Sequence, residues 1–186
     1  AITAGNAPCL VFNTSPAAVP AFQRQGGLVN LSDFPDGEQY ITDRSGDLAD
    51  QYRSDDGGFY QLPWKSNPVM IFFNKDLFAQ AGLDAENPQL STYDEFLTAA
   101  RQLKSAGVAP YAINPAPTSE FFQSWFDFYP LYAAQTGGEQ LVEDGQATFD
   151  DADGAAVANF WREIYAEQLA GNEQYQGDAF ADGQAC

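Results

Sequence analysis

Short apolar runs alternate with helix-patterned segments along this chain, and that alternation restricts the fold more than any other feature. Cys9-Leu10-Val11-Phe12, bounded by Pro8 and by Asn13-Thr14-Ser15-Pro16, reads as a buried strand feeding a loop. Residues 28–31 and 59–64 read as extended. Residues 69–73 (Val-Met-Ile-Phe-Phe) form a second buried strand, after Pro68 has biased Asn67 away from helix. Residues 108–113 make a third strand ending at Asn114-Pro115, and residues 180–186 lead into a last one. Between these lie helical patterns. Residues 17–25 place Val19 and Phe22 on one side before Gly26-Gly27, and Ile41, Leu48 and Tyr52 mark one or two short helices within 32–58. Asn74 caps a helix over 75–81 that Gly82 stops. Thr92-x-x-Glu95 is a capping box, followed by Phe96, Ala99, Ala100 and Leu103 at helical spacing and ended by Gly107. The aromatic segment 119–135 reads as a helix kinked or restarted at Pro130 and stopped by Gly137-Gly138. A further amphipathic helix turns Val157, Phe160, Trp161 and Ile164 inward. Strands alternating with helices imply an α/β fold with largely parallel pairing.

Composition narrows the chemistry. The 186 residues carry 8 Lys plus Arg against 26 Asp plus Glu, a formal charge of −18, and no histidine. That balance opposes nucleic acid and anionic lipid surfaces, which call for basic footprints. The missing histidines remove Ser-His-Asp and Cys-His machinery, His-ligated zinc and imidazole switching. With 15 Phe, 9 Tyr and 3 Trp the chain has the aromatic content that disordered acidic sequences lack. No run approaches the roughly 20 apolar residues of a membrane helix. Cys9 and Cys186 are either two unrelated buried thiols or one disulfide closing nearly the whole chain. Asn13-Thr14-Ser15 and Asn30-Leu31-Ser32 fit the glycosylation pattern and are treated as chance matches. The opening residues resemble the last turn of a helix, and residues 185–186 fall where a strand begins, so the chain is expected to be a fragment of a longer one.

Four constellations could carry chemistry. The acids at 150–153 do not make a calcium loop, because the first and twelfth ligand positions would fall on Phe149 and Phe160; they read as a helix N-cap. Glu120 and Asp127 could form a glycosidase pair, but the simpler reading is a solvated helix face. No glycine-rich phosphate loop occurs. The polar groups at strand ends form the fourth: Asn13, Thr14 and Ser15; Trp64, Lys65, Ser66 and Asn67; and Asn114. In open α/β sheets ligands sit beyond strand ends, so these groups can face one crevice. Aromatic faces next to amides and hydroxyls suit sugars. The bland alternative is that Asn13 and Asn114 are turn residues and Trp64 is core.

The stretch Tyr60-Gln61-Leu62-Pro63-Trp64-x-Ser66-Asn67-Pro68-Val69-Met70-Ile71-Phe72-Phe73-Asn74-Lys75-Asp76-Leu77-Phe78-x-x-Ala81-Gly82-Leu83-Asp84, continued by Ser91-Thr92-Tyr93-Asp94-Glu95-Phe96, strongly resembles the extracellular solute-binding proteins (family 1) of carbohydrate ABC transporters, of the maltose or multiple-sugar-binding type. Weaker matches flank it at Gly5-Asn6-Ala7-Pro8-x-Leu10-Val11 and Phe180-x-x-Gly183-Gln184-Ala185.

The resemblance implies a periplasmic-binding-protein-like fold, two α/β lobes joined by a hinge. Residues 1–66 would be a partial N-terminal lobe, 67–180 most of the C-terminal lobe, and 181–186 the start of a strand returning to the first. It implies a non-catalytic receptor that binds an oligosaccharide between the lobes and delivers it to ABC permease subunits. The protein would be a monomer outside the cytoplasm, periplasmic or a cell-surface lipoprotein, with no cofactor and no metal. The ligand contacts it implies are Asn13, Thr14, Ser15, Trp64, Lys65, Ser66, Asn67 and Asn114, with Trp125 stacking, Phe126 and Tyr129 behind it, and Trp161 in the core. Relatives often carry an acid in the first loop; this chain has none there, which leaves the sugar open. The family's architecture makes the strands bearing Cys9 and Cys186 neighbours, which implies the disulfide. A glycoside hydrolase or a lectin-like module is the alternative.

Overall fold

A computed structural model describes residues 4–14, 18–65, 68–118, 123–143 and 145–186. The chain divides into two units, residues 1–68 and 69–186.

The first unit is short helices joined by polar loops. Helix α1 (Val19–Arg24) buries Val19, α2 (Gly37–Ser45) buries Ile41, and a 3-10 stretch (Gly46–Tyr52) buries Ala49. Phe59 is completely buried and organises the rest. Its carbonyl accepts from Leu31 N at 2.7 Å, and the Arg53 guanidinium lies 4.2 Å from its ring centroid. Arg53 also reaches Glu38 at 2.9 Å and the Gly57 carbonyl at 2.7 Å, so one side chain holds α2 and the 54–59 turn around that ring.

The second unit holds the larger core. Helix α3 (Lys75–Gln80) begins where the Asn74 side chain accepts from the Asp76 and Leu77 N–H groups. Helix α4 (Tyr93–Ala106) begins at the expected capping box: Thr92 Oγ1 accepts from Glu95 N at 3.2 Å, and Glu95 Oε2 accepts from Thr92 N at 3.1 Å. It ends at Gly107, whose φ of 64° is the left-handed conformation that terminates helices. Helix α5 (Gln123–Thr136) runs through Pro130, and Gly137 follows it. A hairpin, β1 (Val142–Glu143) with β2 (Gln146–Ala147), leads to α6 (Ala152–Ala166). Asp151 caps α6 by accepting from Asp153 and Gly154 N–H, the role expected of this acidic run. Gly154 is required there, because a Cβ on it would fall 1.8 Å from the Phe149 carbonyl oxygen.

Leu97, Ala100 and Leu103 of α4 meet Phe160 and Ile164 of α6 in one apolar cluster with Phe78, Ala112, Leu169 and Cys186. Arg101 clamps the outer edge of this pair, with Nη2 2.6 Å from Glu167 Oε1 and 3.2 Å from Glu163 Oε2. Trp161 of α6 donates its indole N–H to the Asp127 carbonyl at 2.8 Å, which ties α6 to α5.

The expected strands fare differently from the helices. Among the described residues the ladder consists of the β1–β2 hairpin, an antiparallel bridge Arg53–Phe59 and a parallel bridge Tyr111–Ala185. The parallel bridge joins the expected third and last strands. The runs 9–12 and 69–73 are neither paired nor buried as expected: Leu10 is 76% exposed and Phe72 73%. A strand is completed by a neighbour's backbone groups, and neither run has that ladder among the described residues. No helix among the described residues is long and apolar enough to cross a membrane.

The expected disulfide is not shown: Cys9 and Cys186 are free thiols in the structure. Cys9 is exposed in the first unit, whereas Cys186 is buried in the apolar cluster of the second, where burial pushes its thiol pKa up.

Removing the capping box tests the account of α4. Thr92→Ala is expected to lower stability by about 1 kcal/mol, read from the urea midpoint at unchanged m-value.

Candidate ligand-binding site

Each unit carries part of the expected residue set. In the first, Asn13 occupies a left-handed turn (φ 59°) and is exposed, and Thr14 is half-buried. Trp64 is not core: it is 51% exposed and meets Phe12 edge-on with ring centroids 5.7 Å apart. Its backbone is held by Arg44, which donates to the Pro63 carbonyl at 2.7 Å and the Trp64 carbonyl at 3.3 Å. Lys65 Nζ lies 5.3 Å from the Trp64 ring centroid. An exposed indole with a backbone pinned in this way is a platform for stacking. Ser15, Ser66 and Asn67 lie outside the described residues.

The second unit contains a groove of about 1190 Å³. The extended run 69–73 forms one side. Ser91, Thr92 and Asp94 from the start of α4, Asn114, Phe126, Asp127 and Gln135 of α5, and Trp161 of α6 line the rest. Asn114 is exposed there, positioned because Ala112 N and Ile113 N both donate to the Leu169 carbonyl, at 2.9 and 3.2 Å. Trp125 is 44% exposed and packs against Phe126 and Tyr129, at 5.1 and 5.0 Å between centroids. Neither Trp125 nor Tyr129 belongs to the lining; Tyr129 donates to Gln140 Oε1 at 3.0 Å instead.

Two residues acquire a place here that sequence reasoning did not assign. Trp161 packs against the core as expected, yet it is only half-buried and its other side lines the groove. Asp127 does not stand on a solvated face. It is half-buried, accepts from Gln123 Nε2 at 2.7 Å, and has its carboxyl pushed above the usual carboxylate range by desolvation, against the lowering effect of that hydrogen bond. The signal available in the sequence was the i, i+4 pair of Gln123 and Asp127 within an aromatic helix. Glu120, the other half of the candidate carboxylate pair, lies outside the described residues. No group of His, Cys, Asp or Glu among the described residues is arranged to hold a metal ion.

The sequence profile of bacterial extracellular solute-binding proteins matches residues 1–185. The chain belongs to that family. Among curated members, a diacetylchitobiose binding protein of Streptomyces coelicolor is 30% identical over 181 residues, covering 93% of this chain and 40% of its own length. The sn-glycerol-3-phosphate-binding periplasmic protein of Agrobacterium fabrum is 40% identical over 58 residues, 31% of this chain and 13% of its own. A crystal structure of an uncharacterized protein from Listeria monocytogenes superposes with a TM-score of 0.77 at 27% identity, over 99% of this chain and 45% of that one. The chain therefore spans less than half the length of these relatives. This solute-binding family member has the α/β, periplasmic-binding-protein-like fold read from its sequence, with the parallel bridge Tyr111–Ala185 as the piece of parallel pairing among the described residues.

Desolvation of Asp127 has a stability consequence. Its folded pKa is raised, so the native state binds the proton more tightly than the unfolded chain. The stability this contributes is present below the unfolded carboxylate pKa of about 3.9 and is lost as pH rises through the folded value. Asp127→Asn is therefore expected to melt above the parent at pH 7, with the difference vanishing below about pH 4; thermal melts across that range check it.

Proposed function

We propose that this chain is the ligand-recognising part of a solute-binding protein serving a carbohydrate ABC importer. It binds an oligosaccharide without chemical change, outside the cytoplasm and as a monomer, and the protein delivers it to the permease subunits. The observation that carries this reading is the family match across residues 1–185, joined to side chains suited to sugars in both units. Trp64 offers an exposed ring in the first unit; Asn114 and Asp127 offer hydroxyl partners in the second, with Trp161 beside them. The diacetylchitobiose relative, matched along 93% of this chain, favours a glycan over other solutes.

In this reading Lys65, Ser66, Asn67 and Asn114 exchange hydrogen bonds with hydroxyls, Asn13, Thr14 and Ser15 contribute from the first loop, and Trp64 stacks on a pyranose face, with Trp161 rather than Trp125 as the ring at the groove. A ligand with better contacts in one arrangement of the two units than in others shifts the population towards it, by no more than that difference in affinity. No bond is broken.

Calorimetric titration with α- and β-linked oligosaccharides tests the proposal. Saturable binding with recovery of intact sugar is expected, and Trp64→Ala should weaken it roughly two- to tenfold, the range for losing one ring contact. Silence across the panel, or release of reducing ends, would sink the reading.

A further inference from the structure

The groove of the second unit has a one-sided charge pattern. Asp94, Asp127 and Asp178 are in its lining, and among the described residues no lysine or arginine is. The basic side chains of this unit are occupied or placed elsewhere. Lys75 pairs with Glu86 at 2.8 Å, Arg101 with Glu163 and Glu167, and Lys104 donates to the Glu167 carbonyl. Arg162 is exposed on α6 and outside the lining.

An anion could still be held by free backbone N–H groups at a helix N-terminus, and α4 begins at the groove. That terminus already carries the protein's own carboxylate: Glu95 Oε2 accepts from Ser91 N at 3.0 Å and Thr92 N at 3.1 Å, which sets a negative charge beside the first turn, while Thr92 Oγ1 takes Glu95 N. Asp94 adds a second negative charge in the same turn. A phosphate monoester brings a charge of about −1.5 to −2 and would meet these groups with no counter-charge in the groove's lining.

Asp127 is the polar group best placed for an uncharged ligand. It sits between the groove's aromatic residues, with Phe126 next to it in sequence and Trp161 bonded to its own carbonyl. Gln123 orients its carboxylate through one oxygen, which leaves acceptor capacity for ligand hydroxyls.

We infer that the groove selects uncharged glycans over phosphorylated ligands, and that Asp127 is a specificity-determining residue, accepting hydroxyl protons of the neutral sugar and repelling an anion at the same position. The inference rests on the solute-binding reading above and adds the charge class of the ligand. It separates this chain from the glycerol-phosphate-binding relative, whose similarity covers 31% of the chain.

The test is calorimetric titration of the 186-residue chain. The probes are a panel of neutral di- to tetrasaccharides that includes diacetylchitobiose, and separately sn-glycerol 3-phosphate. Parent and Asp127→Asn are compared, with thermal melts confirming that the variant is folded. Binding of a neutral sugar without measurable binding of the phosphate ester is expected. Asp127→Asn should weaken the neutral sugar roughly ten- to hundredfold, as for losing a hydrogen bond to a charged acceptor. If the phosphate ester binds the parent as tightly as the neutral sugars, the charge selection is overturned while the solute-binding reading stands. Unchanged affinity in a folded Asp127→Asn overturns the role of Asp127. Silence towards both probe classes overturns the inference together with the reading beneath it. The comparison of ligands on the parent does not depend on the variant's folding.

Discussion

Burial of one face of α6 against α4 is the constraint from which the second unit is built. Val157, Phe160 and Ile164 come every three or four residues along α6, and all three are buried. Phe160 and Ile164 join Leu97, Ala100 and Leu103 of α4 in the apolar cluster. Fully burying side chains of this size contributes about 1.5–3 kcal/mol each, so this seam outweighs the exposed ion pairs around it. The position of everything else follows. The turn after α6 presents the Leu169 carbonyl to Ala112 and Ile113, which sets the path of the chain to Asn114. The residue after Phe160 is Trp161, turned about a hundred degrees around the helix and therefore at the edge of the seam. Half of it packs on the core and half lines the groove.

The same seam explains the electrostatics. Arg101, Lys104, Glu163 and Glu167 lie on the outer side of the α4–α6 pair and satisfy one another there. Positive charge is thus spent away from the groove, in a chain that has only 8 basic residues against 26 acids. At the groove, the helix start that could have received an anion carries its own acids, Asp94 and the capping-box Glu95. Asp127 is left partly desolvated in the groove, where its carboxylate can accept from hydroxyl donors and opposes an anion.

Helices were legible in the sequence, and the reason is local. Asn74, the Thr92–Glu95 box, Gly107 and Asp151 all act within a few residues of themselves, so their partners are visible in the same stretch of letters. Strands were not legible to the same degree. An apolar run such as 69–73 signals a wish to be buried, but a strand is made by a second backbone, which the letters of the run do not name. Residue roles failed for the same reason. Trp64 was offered both as core and as ligand contact, and only its packing against Phe12 with half its surface open decides for the surface. The thiols were paired by analogy, whereas Cys186 is enclosed by the α4–α6 cluster and Cys9 stands open to solvent.

By itself, then, the sequence determined the helix boundaries, the α/β class, the family and the absence of histidine chemistry, because caps, periodicity and composition are properties of neighbouring residues or of the whole list. Tertiary structure alone decided which runs pair, that Cys186 is enclosed in the apolar cluster, and that Asp127 and Trp161 share one groove. Desolvation, ladder hydrogen bonds and charge placement are set by residues far apart in the chain, and folding is what brings those residues together.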